Sequence, residues 1–242
     1  NGPHKVRVIK QPDHCNICEH ANRLVNEVSG EYIIFASGDD LQDPTRTEKV
    51  VRVWQETGAD MIGNNLAKIT ADGGKVIELH RNPNEQYHVD LEEILRRTPH
   101  TACTGAGQAW SPRLFDLHGP LPSWYHTSDV LVPFWGALEG GAAFISEPLT
   151  YFRITGENCG MGSQHMTATE DERHHLEEKM HADVSMHLLM IRRTLLGLKV
   201  QEPDRYDYDG LDALILENFA DAAELWSESR EELLKLEKAA RL

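Results

Sequence analysis

Long apolar runs are missing from this sequence. No stretch of about 18 uncharged apolar residues occurs, so no membrane-spanning helix is expected. Cysteine is also scarce, with four in 242 residues. That is too few for a disulfide framework and makes a reducing, cytoplasmic setting the default expectation. Basic charge is in deficit: 24 Lys and Arg stand against 39 Asp and Glu, for a formal charge of −15. Such a balance disfavours nonspecific contact with a phosphate backbone, since nucleic-acid binders present a basic face. It leaves room for a small phosphorylated ligand, because a local pocket or a metal overrides the global field. No internal repeat, low-complexity tract or GxxxxGK[ST] loop is present. The N-terminus, Asn1-Gly2-Pro3-His4-Lys5, has neither an apolar stretch nor a cleavage pattern, so it does not read as a signal peptide. The first residue is not Met, which suggests a processed, tagged or truncated chain.

What is there alternates. Val6 to Ile9 is β-prone, and Ile17, Ala21, Leu24, Val25 and Val28 fall at helical spacing, closed by Ser29-Gly30. Tyr32 to Ala36 is a compact apolar run, as in a strand covered on both faces. Asp43-Pro44 reads as the cap and first residue of a helix that Gly58 ends. A strand opens at Asp60, and the segments 66–69 and 76–79 flank the hairpin signal Asp72-Gly73-Gly74. Short helices are expected at Leu91–Arg97 and Pro112–Leu117, and strands at Gly107–Trp110, Ala142–Ile145 and Leu149–Ile154. Ser128 to Leu138 is expected to begin as a helix, with Pro133 counting against a helical interior. After a glycine-rich stretch, Gly156 to Ser163, two long helical patterns follow, at 167–198 and 211–241. The order implies an α/β fold with a mostly parallel sheet flanked by helices, followed by a C-terminal helical hairpin.

Chemistry concentrates at Ser37-Gly38-Asp39-Asp40, at the carboxyl end of the apolar strand. In open α/β sheets ligands bind beyond the carboxyl ends of strands. Two adjacent carboxylates repel each other, and a hard divalent cation relieves that repulsion and can bridge a diphosphate. A plain solvated acidic turn is the competing reading. Cys15-Asn16-Ile17-Cys18, flanked by His14 and His20, suggests zinc or thiol chemistry, but Cys103 and Cys159 are isolated and supply no second ligand pair. Trp110 and Trp135 read as core residues. Trp124 and Tyr125, in a loop just before Asp129, are placed for contact with a saccharide.

The ordered set Val6-Arg7-Val8-Ile9, Ala21-Asn22, Gly30-Glu31-Tyr32-Ile33-Ile34-Phe35, Asp39-Asp40 and Pro44 resembles the family 2 glycosyltransferases of the GT-A fold. Ser128-Asp129 is similar to the acidic pair that opens their acceptor-side helix. Gly140-Gly141 with 142–145, and Pro148 to Arg153 with Asn158, are similar to the closing strand pattern. The resemblance covers roughly residues 5–160. It implies inverting sugar transfer from a nucleotide-diphosphate sugar to an acceptor hydroxyl on a saccharide or glycolipid, in polysaccharide or glycoconjugate assembly. Asp39 and Asp40 would hold Mg²⁺ or Mn²⁺ against the phosphates, with Asp39 also on the ribose or phosphate side. Asp129 would be the general base, and Arg153 would neutralise diphosphate charge. It also implies a GT-A-like domain over 1–165 and a helical extension over 166–242.

Three departures qualify the pattern. Ser37 stands where an acid usually begins the motif, which shifts metal binding toward the phosphates. Thr155 stands where many relatives carry histidine, leaving Glu157 or a histidine as the substitute third ligand. About 50–60 residues bearing two strands and a further acidic turn would be expected before Val6. A non-catalytic glycosyltransferase-like module with a helical assembly tail is therefore the rival reading, and a metal-dependent nucleotidyltransferase a third. The segment after residue 166 carries 18 acids against 10 bases. Its helices are expected to pack on the α/β body or to self-associate rather than to dock on an anionic membrane.

Overall fold

A computed structural model of the chain describes residues 6–10, 13, 15–84, 87, 89–96, 103–125, 127–155 and 170–227. In chain order the elements are α1 (Ile17–Glu27), β1 (Ile33–Ile34), β2 (Leu41–Gln42), α2 (Arg46–Thr57), β3 (Met61–Ile69), β4 (Val76–Leu79), α3 (Leu91–Arg96), β5 (Gln108–Trp110), α4 (Arg113–His118), α5 (Leu131–Leu138), β6 (Ala142–Arg153), α6 (Glu170–Gln201) and α7 (Tyr208–Ser227). A 3-10 turn, Gly105–Gly107, leads into β5.

One sheet runs β1-β5-β3-β6-β2, with β4 added to β3. The expected α/β class, flanking helices and C-terminal helical pair are present. The pairing differs from the expected mostly parallel one. β3–β6, the longest ladder, is parallel. The β1–β5, β3–β5, β3–β4 and β2–β6 pairings are antiparallel. The hairpin at Asp72-Gly73-Gly74 accounts for β3–β4, while β1 and β2 are two-residue edge segments that pair with strands far along the chain.

Side chains alternate between two cores with the period of a strand. Met61, Trp110, Ala142 and Phe144 face a large core built with α1, α3, α4, α5, α6 and α7. Ile62, Ala109, Ala143 and Ile145 face a smaller one closed by Val50, Val53 and Trp54 of α2. The C-terminal pair contributes Leu188, Ile191, Leu195 and Ile215 to the larger core.

Several local expectations change. Val6 to Ile9 form no strand; Val6 and Val8 are exposed, and no described strand lies beside them to pair with. The Tyr32–Ala36 run yields only two paired residues, half-buried rather than covered. α1 ends at an extended Val28 rather than on Gly30. Pro133 sits at the third residue of α5, inside the first turn, where its missing N–H would have had no helical partner. The two closing strands are one, β6, bent by a bulge opposite Asn64–Leu66. Gly156 to Ser163, with Glu157 and Asn158, lies outside the described residues.

Candidate functional site

The chain leaves β1 at one edge of the sheet and re-enters it in β2 at the opposite edge. The loop between them therefore straddles the sheet, and it carries Asp39 and Asp40. It is fastened at its ends by Phe35 N–H donating to Gln108 O (3.1 Å) and Asp43 N–H donating to Leu149 O (2.9 Å). Asp43 Oδ1 accepts from Thr45 N–H at 2.8 Å and Thr45 Oγ1 at 2.6 Å, so Asp43 closes the turn into α2, but the helix begins at Arg46 with Thr45 as its cap position, not at Asp43-Pro44 as expected.

Three of the residues singled out from sequence come together here. Asp40 Oδ1 accepts the Arg153 backbone N–H at 2.9 Å. Arg153 Nε donates to Asp39 O at 2.7 Å, and its Nη1 to Ala71 O at 2.6 Å. The guanidinium thus ties the acidic turn to the β3–β4 hairpin. Asp39 is exposed, whereas Asp40 is half-buried, and its Oδ2 is buried with no hydrogen-bond partner among the described residues. Burial pushes the Asp40 carboxyl above its usual range. The Arg153 N–H bond and the Arg46 charge oppose that shift, and the Asp39 charge reinforces it.

Arg46 is the site residue that sequence reading missed. It is 2 % exposed. Its Nε donates to Asn64 Oδ1 (2.8 Å), Nη1 to Phe35 O (2.7 Å) and to Gln42 Oε1, and Nη2 to Gln108 O (3.1 Å). Burial lowers its pKa to about 10, still charged at neutral pH. Asn64 Nδ2 donates to Thr150 Oγ1, and Thr150 Oγ1 to Gln42 Oε1, each at 3.1 Å, closing a buried polar layer under the loop. In the sequence Arg46 is one polar residue in a helix rich in them. Only its burial sets it apart.

Asp129 precedes α5 and is half-buried. Its backbone N–H donates to Thr127 Oγ1 at 3.1 Å, but neither its side chain nor that of Ser128 caps the helix. Among the described residues its carboxylate accepts no hydrogen bond. It lies over Gly105: a Cβ there would fall 2.2 Å from Asp129 Oδ1. Its charge reaches Cys18 and Cys103, and the charge of Arg46 reaches Cys103 as well. The turn Gly105–Gly107 therefore stands between Asp129 and the polar layer under Asp40. On the far side Ala106 O accepts from Thr150 Oγ1 at 3.5 Å.

The loop before Asp129 is held by α1. Asn22 exchanges two 2.8 Å hydrogen bonds with the Leu121 backbone, and Asn16 Nδ2 donates to Ser123 O. Trp124 is 57 % exposed, while Tyr125, Trp110 and Trp135 are buried. Cys18 is buried, with its thiol pushed up to about 12, chiefly by desolvation. A cavity of about 270 Å³, lined by Leu41, Gly73, Lys75 and Tyr151 among others, lies on the Arg153 side, away from Asp129.

For a divalent cation, no cluster of three His, Cys, Asp or Glu side chains exists among the described residues. The unpartnered Asp40 Oδ2 beside exposed Asp39 fits an ion held chiefly by phosphate oxygens, with one or two carboxylates from the protein. Among the described residues no helix is long and apolar enough to cross a membrane.

The fold, a sheet flanked by helices, is shared with a solved structure. The fold is similar to S. aureus TarS residues 1–349 in complex with UDP-GlcNAc, with a TM-score of 0.52 and 12% identity, over 83% of this chain and 51% of that one. A second TarS structure, of residues 1–349, aligns with a TM-score of 0.46 and 11% identity, over 88% of this chain and 72% of that one. In sequence, the chain is 24% identical over 148 residues to an uncharacterized glycosyltransferase of Nostoc sp. (strain PCC 7120), covering 59% of this chain and 45% of the relative. The chain thus spans about half the length of the UDP-GlcNAc complex chain and of the Nostoc relative. No protein-family model matches it.

Proposed function

We propose that the chain is the donor- and acceptor-binding portion of an inverting, metal-dependent glycosyltransferase of the family 2, GT-A type. The observation that carries this reading is Asp40 Oδ2: a buried carboxylate oxygen without a partner among the described residues, next to a second acid, on a loop that crosses the sheet. A structural acid would have its lone pairs satisfied. The similarity to a glycosyltransferase in sequence and to a UDP-GlcNAc complex in fold supports it further.

In this mechanism the acceptor hydroxyl oxygen attacks the anomeric carbon, forming the new glycosidic bond as the bond to the diphosphate oxygen breaks on the opposite face. Asp129 takes the hydroxyl proton; among the described residues no hydrogen bond competes for its carboxylate lone pairs. A bound Mg²⁺ or Mn²⁺, held by Asp40 with Asp39, would supply the charge that stabilises the leaving diphosphate. Arg153 orients Asp39 and adds positive charge on the same side. Trp124 offers an exposed ring face for the acceptor sugar. We place the reaction in cytoplasmic polysaccharide or glycoconjugate assembly, with residues 166–242 as a helical extension of the 1–165 unit and a surface for self-association.

The rival is a non-catalytic module, favoured by Ser37 in place of the first acid. Calorimetric titration with UDP, with and without Mn²⁺, separates the two. Metal-dependent binding that disappears in Asp40→Ala is expected, followed by transfer from a UDP-sugar that disappears in Asp129→Asn. Absence of metal-dependent binding in the wild type supports the module instead.

A further inference from the structure

We infer that Arg46 is a positioning residue, a fork that clamps both ends of the loop carrying Asp39 and Asp40 and so fixes where that pair stands. This rests on the reading of the two acids given above. The loop starts at one edge of the sheet and ends at the other, so the ladder hydrogen bonds of β1 and β2 hold its ends to different strands and hold nothing between them. Arg46 spans that gap. One nitrogen, Nη1, donates both to Phe35 O, where the chain leaves β1, and to Gln42 Oε1, in β2. Its other two nitrogens anchor the fork to the sheet beneath, Nε on Asn64 of β3 and Nη2 on Gln108 O of β5.

Each nitrogen of the guanidinium is thus used, and among the described residues no carboxylate lies within salt-bridge distance of it. Among the described residues Arg46 is the most deeply buried arginine. A cation is costly to bury without an ion-pair partner. A purely structural position would be served as well by an apolar residue of similar volume. The arginine is there for its planar array of donors, which lysine cannot reproduce. Gln42 extends the clamp, since the oxygen that receives Nη1 also receives Thr150 Oγ1.

The test uses the full chain with Arg46→Lys and Gln42→Ala. In hydrogen–deuterium exchange, amides 36–42 are expected to exchange about tenfold faster in Arg46→Lys, with those of α5 unchanged. UDP affinity in Mn²⁺ is expected to fall about tenfold, because displacement of the acids by a fraction of an ångström suffices for that. In an Asp40→Asn background, Arg46→Lys is expected to cost little more, since the clamp acts through Asp40. Unchanged exchange at 36–42, exchange that rises equally across the sheet, or a binding loss undiminished in the Asp40→Asn background overturns the inference. If Arg46→Lys fails to fold, Gln42→Ala decides by the same readout, with a smaller rise. A wild type that binds no UDP with Mn²⁺, yet shows the local rise in exchange, overturns the functional reading and leaves the clamp standing.

Discussion

At the scale of single residues, two side chains are placed by what their neighbours omit. Gly105 leaves out the Cβ that would collide with Asp129 Oδ1 at 2.2 Å. Asp129 is half-buried with a flexible end, so it can yield, and Gly105→Ala is expected to move the carboxylate rather than unfold the protein. If the proposed sugar transfer holds, turnover should fall by about tenfold to a hundredfold with a nearly unchanged melting temperature, measured side by side. A variant that turns over at the wild-type rate would show that Asp129 does not act from this position. Asp40 is the second case. Its carboxyl is raised above 3.8 in the folded state, chiefly by desolvation, so the folded protein binds this proton more tightly than the unfolded chain does. Stability from this group is complete below the unfolded value and is lost as pH rises through the folded one. In metal-free buffer Asp40→Asn should therefore melt higher than the wild type near neutral pH. The difference should close as the pH approaches the unfolded carboxylate range of about 4. Equal melting at neutral pH would contradict the burial argument.

Elements here are built from signals of unequal reach. α1 is fixed locally: Asn16 accepts from Glu19 N–H at 2.9 Å, and Glu19 Oε2 accepts from Asn16 N–H at 3.1 Å. That reciprocal box is legible in the sequence as Asn16 and Glu19, beside the apolar spacing that already predicts the helix. Asn16→Ala should cost about 1–2 kcal/mol in urea unfolding, since it removes the cap and the bond to Ser123 O together. A cost near zero would mean that α1 is held by packing alone. Gly58, left-handed at φ 68 with its N–H on Trp54 O, ends α2 where its residue type says it should. The edge strands were less legible. Tyr32 to Ala36 has strand composition, but only Ile33 and Ile34 pair, because the chain turns away at Phe35 to cross the sheet.

For the whole molecule, the helical pair α6–α7 is joined to the α/β body by a buried polar knot as well as by apolar packing. Glu139, at the end of α5, accepts from Arg205 Nη2 at 2.5 Å and Tyr206 Oη at 2.8 Å, and lies 3.0 Å from His118 Nε2. His118 stacks on Trp135 at 5.2 Å. Glu139→Ala should cost about 2 kcal/mol and expose the 202–207 connection to limited proteolysis before the sheet opens. Proteolysis identical to wild type would show that apolar contacts suffice. Burial holds the His118 pKa below 6.5 despite the facing Glu139, so its protonation favours the unfolded chain. This contribution is present above 6.5 and lost as pH falls through the lower folded value. Melting temperature should drop between about pH 7.5 and about pH 5.5, less steeply in His118→Gln than in the wild type. Equal slopes would assign the dependence to other groups.

Periodicity and punctuation in the chain determined most of the helices and the inner strands, the α/β class, the helical C-terminal pair and the acidic turn after the apolar run. These follow from short-range sterics and from which residues must leave water, both of which are written in neighbouring letters. Pairing sense, the path of the loop from edge to edge, the arginine beneath it and the room above Gly105 were decided only by tertiary structure. A buried arginine and an exposed one are the same letter. What separates Arg46 from the arginines around it is the set of carbonyl and amide oxygens from Phe35, Gln42, Asn64 and Gln108, and only the closed sheet brings those four to one place.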